Sequence, residues 1–242
     1  MTLTVPLDED YHVHSTFSDG ASTVADNVAV ARDRGLRRLC LTDHVRTATA
    51  WLPDYVAAVA ALRADDSTEL VTGVEAKILD SGGRLDLPDD LAGIDLVLIA
   101  DHQFPAEHGP VLPGELRVLI ERGTIGGQDA IDVLVDATAA ALTAVTGPRV
   151  LIAHLFSILP KMGLDESAVP DATLGRLASR AAEAGAMLEI NEKWNCPSAR
   201  TVGAFGAAGV QVVFGSDSHH CAGIGTFPSV RQRIDAVAAG SR

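Results

Sequence analysis

Residues 96–102 read LVLIADH, an unbroken apolar run followed at once by an aspartate and a histidine. Leu96–Ala100 is apolar on both faces, which is typical of a strand buried in a parallel sheet. Six further short runs are predicted strands: Asp10–Val13, Arg38–Leu41, Leu70–Ile78, Val150–Ala153, Met187–Ile190 and Val210–Phe214. The predicted helices are Thr23–Arg34 (with Ser22 as its cap), Asp54–Ala64, Ala130–Val145, Asp171–Ala184, Pro197–Ala208 and Ser229–Ala239.

Strands that alternate with helices predict one α/β domain with a parallel sheet over residues 1–242. Closure of this sheet into a seven-stranded barrel is the preferred prediction, and an open doubly wound sheet is the alternative. Residues 103–127 are rich in proline and glycine and form a long connection for a barrel. Such connections often close over active sites, so this segment is predicted to be a lid.

Composition narrows the classes of function. The formal net charge is −13 and no segment supplies a basic face, which argues against a nucleic-acid partner. No segment approaches the roughly 20 apolar residues that span a bilayer, and the first residues lack the features of a signal peptide. The 3 cysteines show no CxxC spacing, so we expect reduced thiols and a cytoplasmic protein.

Polar residues collect where the predicted strands end, and in a barrel this end carries the chemistry. Alternation along the first strand puts His12 and His14 on one face, so both can reach one metal. Glu75 lies within an apolar strand, where a carboxylate is costly unless a cation or hydrogen bonds compensate it. One histidine at a strand end is usually structural, but six of the 8 histidines lie there: His12, His14, His44, His102, His154 and His219. The joint pattern predicts a metal site.

These residues resemble the PHP family, named for polymerase and histidinol phosphatase. The resemblance runs in order from residue 10 to residue 219. It rests on D-x-H-x-H (Asp10, His12, His14), S-D-G (Ser18, Asp19, Gly20), T-D-H (Thr42, Asp43, His44), G-x-E (Gly73, Glu75), the histidines His102 and His154, and S-D-x-H (Ser216, Asp217, His219).

The resemblance implies a distorted seven-stranded TIM-like barrel with three divalent metal ions. The first metal would be held by His12, His14, Glu75 and Asp217, the second by Glu75, His102 and His154, and the third by Asp19, His44 and His219. Glu75 would bridge two metals and, with Asp217 and His219, is predicted to be catalytic. Imidazole and carboxylate ligands suit zinc, manganese or iron alike.

The predicted reaction is hydrolysis of a small-molecule phosphate monoester, as in a histidinol phosphatase. Two nearby cations can share a hydroxide of lowered pKa, and its attack on phosphorus builds charge that the cations stabilise. The alternatives are a phosphodiesterase acting on a small cyclic or bridged phosphate, and a non-catalytic metal-binding PHP barrel. A metal-dependent amidohydrolase also begins with HxH, but it usually has a bridging lysine after the fourth strand, whereas this chain has His102.

Three cationic side chains near the predicted site are candidates for substrate binding: Lys193, Arg46 and Lys161. Lys193 follows the sixth strand and is the strongest of them. Asp10 is predicted to orient a metal ligand through a hydrogen bond.

Overall fold

The parallel sheet predicted from the apolar runs is present in the computed structural model, which describes residues 7–64 and 67–232. Seven strands pair in the order β1-β2-β3-β4-β7-β8-β9, and every pairing is parallel. Their bounds are β1 Glu9–Val13, β2 Arg38–His44, β3 Glu69–Lys77, β4 Leu96–Ala100, β7 Arg149–Ile152, β8 Met187–Asn191 and β9 Gln211–Gly215.

The sheet nearly closes into a barrel where its two outer strands meet. The backbone N–H of His14, just past β1, donates to the carbonyl of Ser218, just past β9, at 2.9 Å. Val13 and Ser218 form a parallel bridge. The barrel is therefore confirmed, and the open doubly wound sheet is excluded.

Six α-helices lie wholly within the described residues: α1 Val24–Asp33, α2 Leu52–Leu62, α3 Pro113–Glu121, α4 Gly127–Ala141, α5 Asp171–Glu183 and α6 Ala199–Ala207. Thr23, not Ser22, caps α1, because the Thr23 hydroxyl accepts from Asp26 N–H while the Asp26 carboxylate accepts from Thr23 N–H. The predicted helix Ser229–Ala239 is helical at 228–232, and its remainder lies outside the described residues.

The apolar core has two layers, and alternation along β4 separates them. Val97 and Ile99 pack outward among side chains of the helices. Leu96, Leu98 and Ala100 belong to a smaller cluster that fills the barrel interior, with Tyr11, Cys40, Leu151, Ala153, Met187 and Val213. The carboxyl end of the barrel is filled instead by the buried polar residues described below.

The predicted lid segment, 103–127, has regular structure that the sequence did not predict. Residues Phe104–Ala106 (β5) and Gly109–Val111 (β6) form an antiparallel hairpin, and α3 follows it. The helix α3 packs against a 3₁₀ turn at Pro160–Met162. Whether this segment closes over the site stays a prediction. Within the described residues, no helix has the length and apolarity needed to cross a bilayer.

Candidate metal centre

The structure brings all nine predicted metal ligands together at the carboxyl end of the barrel. Three groups have ligand atoms that lie within 4.8 Å of one another: His14, Asp19, His44 and His219; His12, His14 and Asp217; His44, Glu75 and His102. His154 joins them through Glu75, at 2.8 Å. The groups share members, so the residues form one continuous cluster.

Glu75 is the centre of the cluster, and it is only 1% exposed. Its Oε1 lies 2.8 Å from His154 Nε2 and 3.0 Å from His102 Nε2. Its Oε2 lies 2.9 Å from His44 Nδ1, 3.3 Å from His12 Nε2 and 3.5 Å from His14 Nε2. One carboxylate therefore contacts five imidazoles, which is the arrangement expected of a ligand shared between cations.

Several buried polar atoms in this cluster have no hydrogen-bond partner among the described residues. They are His12 Nε2, both ring nitrogens of His14, and Glu75 Oε2, whose 2.9 Å contact with His44 Nδ1 does not have the geometry of a hydrogen bond. Buried polar atoms are nearly always paired, because an unpaired one costs about 1–3 kcal/mol. Imidazole nitrogens and carboxylate oxygens that face one another without hydrogen bonds fit divalent cations, which accept lone pairs from both. The residues present therefore fit the metals that the sequence predicts.

Asp19 lies at the exposed rim of the cluster, with 55% of its side chain exposed. Its carboxylate oxygens are 3.6 Å from His44 Nε2 and 3.4 Å from His219 Nε2. The buried Asp43 fixes the loop that carries it, accepting from Ser15 Oγ and Ser18 Oγ, both at 2.6 Å. Asp19 is thus held in place by its loop while it faces solvent.

Two further buried carboxylates, which the sequence analysis did not identify, contact the Nδ1 atoms of two of the histidines. Glu189 Oε1 lies 2.8 Å from His12 Nδ1, and its Oε2 accepts from the backbone N–H of His154 at 2.6 Å. Asp101 Oδ1 lies 3.3 Å from His154 Nδ1 and accepts from Ser157 Oγ at 2.9 Å. Carboxylates placed in this way fix the tautomer and orientation of a ligating imidazole. The signal that identified Glu75, a carboxylate within an apolar strand, also applies to Glu189.

Gly215 leaves the room that Glu189 occupies. A Cβ at position 215 would lie 1.8 Å from Glu189 Oε1 and 2.6 Å from His12 Cβ. Only glycine therefore allows the carboxylate to lie beside the His12 ring.

Asp10 acts on the backbone rather than on a histidine ring. Its carboxylate accepts from the N–H groups of Ser216 at 2.9 Å, Gly225 at 2.8 Å and His12 at 3.3 Å. Asp10 therefore contacts the predicted ligand His12 through its backbone N–H, while Glu189 contacts the His12 ring. Asp10 also ties the residue that follows β9, Ser216, to β1.

Two of the predicted metal ligands have a strained backbone conformation. His154 and Asp217 both have positive φ, 28° and 53°. Non-glycine residues adopt this region at a cost of order 1–3 kcal/mol, and such residues cluster at functional sites. The short contact from Glu189 to the His154 N–H helps to hold one of these conformations.

The pKa values of the metal-free protein show how the charges compensate one another. Burial raises the pKa of Glu75, but the charges of His102 and His12 outweigh it and hold that pKa well below its ordinary value. Burial lowers the pKa of His154, but hydrogen bonds with Asp101 and Glu75 raise it to about 10. Burial, reinforced by the charge of His12, lowers the pKa of His14 to about 4. Protons on some imidazoles therefore balance the buried carboxylates, and bound cations would displace those protons.

The three predicted substrate contacts lie at different distances from the cluster. Lys193 Nζ is 3.2 Å from Asp217 Oδ1 and 3.2 Å from His219 Nδ1, so it touches the cluster directly. Lys161 Nζ lies 3.9 Å from the centre of the Trp194 ring, further out. Arg46 lines a cavity of about 490 Å³ on the side of His44 and His102.

Comparisons with known proteins agree with this geometry. Residues 10–193 match the PHP domain. A probable phosphatase of Caldanaerobacter subterraneus subsp. tengcongensis is 28% identical over 240 residues, covering 94% of this chain and 82% of its own. A probable phosphatase of Shewanella sp. strain MR-4 is 30% identical over 245 residues, with the same coverage of 94% and 82%.

A solved structure with the same fold is the histidinol phosphate phosphatase of Lactococcus lactis subsp. lactis, complexed with zinc, L-histidinol and phosphate. It superposes with a TM-score of 0.65 at 19% identity, over 95% of this chain and 93% of its own. The PHP domain match spans most of the residues that form the cluster and more than half of the chain. The chain belongs to the PHP domain family.

Proposed function

We propose that this protein is a metal-dependent phosphomonoesterase whose nine clustered residues hold three divalent cations. The observation that carries the proposal is the Glu75 carboxylate, buried among five imidazoles whose nitrogens are in part unpaired. The similarity to probable phosphatases and to a histidinol phosphate phosphatase supports phosphate esters as substrates. Histidinol phosphate is one candidate substrate, and other small phosphate monoesters are equally compatible with the cluster.

We assign the ligands to the cations as the resemblance implies. His12, His14 and Asp217 form one group with Glu75, and His14 Nε2 lies 3.4 Å from Asp217 Oδ1. The second group is His102 and His154, which approach the same oxygen of Glu75. The third is Asp19, His44 and His219 at the exposed rim, and a ligand atom of His14 lies within 4.8 Å of theirs.

The bound cations would lower the pKa of water at the site and neutralise charge that develops on the phosphoryl group. The protein's own residues orient the metal ligands and bind the substrate. Glu189 and Asp101 fix the rings of His12 and His154, so that each presents its Nε2 to the centre. Lys193, beside Asp217 and His219, is placed to bind a phosphoryl oxygen of the substrate. Lys161, which lies over the Trp194 ring, would add positive charge as the substrate approaches.

Hydrolysis of three phosphate esters tests this function. The protein, with its metal content measured on the same sample, is offered p-nitrophenyl phosphate, L-histidinol phosphate and bis(p-nitrophenyl) phosphate. We expect cleavage of the monoesters with kcat/KM at least tenfold above that of the diester. We also expect loss of activity on chelation and its return with zinc, manganese or iron.

Two results would favour the alternatives. Faster cleavage of the diester would identify a phosphodiesterase. Fully metal-loaded protein that cleaves none of a broad panel of phosphate esters would identify a non-catalytic metal-binding barrel.

A further inference from the structure

The cavity beside the metal centre has an outer part that the metal ligands do not form. His44, Glu75 and His102 line its inner end, which connects it to the proposed reaction centre. The aromatic side chains of Phe17 and Trp51 line the outer part, with ring centres 5.5 Å apart. The outer part is therefore where the organic portion of a phosphate ester would lie.

Two positively charged side chains, Lys77 and Arg46, face this outer part without carboxylate partners. Lys77 follows Glu75 by two residues on β3, so both side chains lie on the same face, about 7 Å apart along the strand. Lys77 is half-buried, and its Nζ donates to the neutral Gln103 Oε1 at 2.9 Å. Arg46 is exposed at the mouth. Neither side chain forms an ion pair with a carboxylate in the described part of the chain.

Three carboxylates also line the cavity. Asp19 and Glu75 belong to the proposed metal centre, and Asp86 is already engaged by Thr47. Asp86 Oδ1 accepts from the backbone N–H of Thr47 at 2.8 Å and from the Thr47 hydroxyl at 3.1 Å. With Asp19 and Glu75 assigned to the metal centre, Lys77 and Arg46 face one engaged carboxylate, Asp86. The part of the cavity beyond the metal ligands then has an excess of positive charge, in a chain whose net charge is −13. A cleft whose local charge is positive favours an anionic ligand group, even in a protein of negative net charge.

We propose that the substrate carries a second anionic group, separate from the phosphate that is cleaved, and that Lys77 and Arg46 bind it. This inference rests on the proposed phosphomonoesterase function. The body of the substrate packs against Phe17 and Trp51, while its carboxylate or second phosphate accepts from Lys77. An alcohol with an ammonium group, such as histidinol, would meet repulsion at the same place. We therefore expect an acidic phosphate ester to be cleaved with a higher kcat/KM than histidinol phosphate.

A matched pair of probes isolates the second charge. 4-Carboxybenzyl phosphate and 4-carbamoylbenzyl phosphate have the same shape and similar leaving alcohols, and differ in one negative charge. A hydrogen bond to a charged group contributes about 1.5–3 kcal/mol, so we expect the wild type to prefer the carboxylate by roughly tenfold or more in kcat/KM. Lys77→Gln and Arg46→Gln should each reduce this ratio, Lys77→Arg should restore most of it, and the exposed Arg122→Gln should leave it unchanged.

A binding measurement separates this inference from the proposed function. Calorimetry compares 4-(hydroxymethyl)benzoate with 4-(hydroxymethyl)benzamide, the alcohols released from the two probes. Tighter binding of the benzoate in the wild type, with a smaller difference in Lys77→Gln, supports the subsite. This conclusion holds even if neither ester is cleaved. Absence of cleavage would count against the phosphomonoesterase and not against the subsite. Equal kcat/KM for the two esters in the wild type, or a ratio that Lys77→Gln does not change, would overturn the subsite while leaving the phosphomonoesterase intact.

Discussion

Glu189→Gln replaces one carboxylate oxygen by an NH₂ group and should weaken metal binding without disturbing the fold. Glu189 is fully buried and its two oxygens serve two different donors, the His12 ring and the His154 backbone N–H. A carboxamide has only one oxygen, so its NH₂ group must face one of these donors. If the NH₂ faces His12, it favours the tautomer with a proton on Nε2, the atom that should bind metal.

The size of the effect follows from the lost contact. A buried donor left without an acceptor costs about 1–3 kcal/mol, which corresponds to roughly 5- to 150-fold in an equilibrium constant. Carboxylates behind a ligating histidine commonly contribute 10- to 100-fold to metal affinity. We therefore expect Glu189→Gln to weaken the tightest metal site by about 30-fold, with a small loss of thermal stability.

Competitive titration against a chromophoric chelator measures this change, with thermal unfolding recorded on the same samples. Glu192→Gln is the matched control, because Glu192 accepts from the backbone N–H groups of Ser229 and Val230 and contacts no histidine in the described structure. The control should lose some stability and keep its metal affinity. Equal metal affinity in the wild type and Glu189→Gln would refute the role assigned to Glu189.

Three further predictions concern the cluster itself. Glu75→Ala should remove two cations and reduce turnover more than the loss of any single histidine, as elemental analysis and steady-state kinetics would show; retention of both metals would exclude Glu75 as the bridge. Asp19→Ala should keep the other two cations but lose turnover by roughly a hundredfold, whereas unchanged kinetics would make Asp19 a turn residue only. In chelated protein, the raised pKa of His154, about 10 against an ordinary 6.5, stabilises the fold below pH 6.5 and loses that contribution as the pH rises towards 10. The unfolding temperature of the chelated wild type should fall over this range, and that of His154→Asn should fall less.

The strands were predictable because burial on both faces requires an unbroken apolar run, as in Leu96–Ala100. The hairpin of β5 and β6 was not, because each of its strands contains a proline, Pro105 or Pro110, and proline argues against a strand. The start of α3 at Pro113-Gly114 likewise resembles a loop, although proline is tolerated in the first turn of a helix.

The positions of the polar residues at strand ends were also predictable, because parallel strands bring their carboxyl ends to one edge. The atoms that come into contact there could not be predicted from the sequence. Glu189 lies on the strand β8 and acts through a space that exists only because residue 215 is glycine. Lys77 has the appearance of an ordinary strand-end charge, and its partner Gln103 follows a different strand. These contacts depend on tertiary packing that no local pattern encodes.

Anomalous diffraction from crystals of active protein, recorded at the manganese, iron and zinc absorption edges, tests the central claim most directly. We predict three anomalous peaks at the carboxyl end of the barrel: one among His12, His14 and Asp217, one between His102 and His154, and one among Asp19, His44 and His219, with Glu75 in contact with the first two. Active crystals that show no anomalous peak among these nine residues would contradict the account.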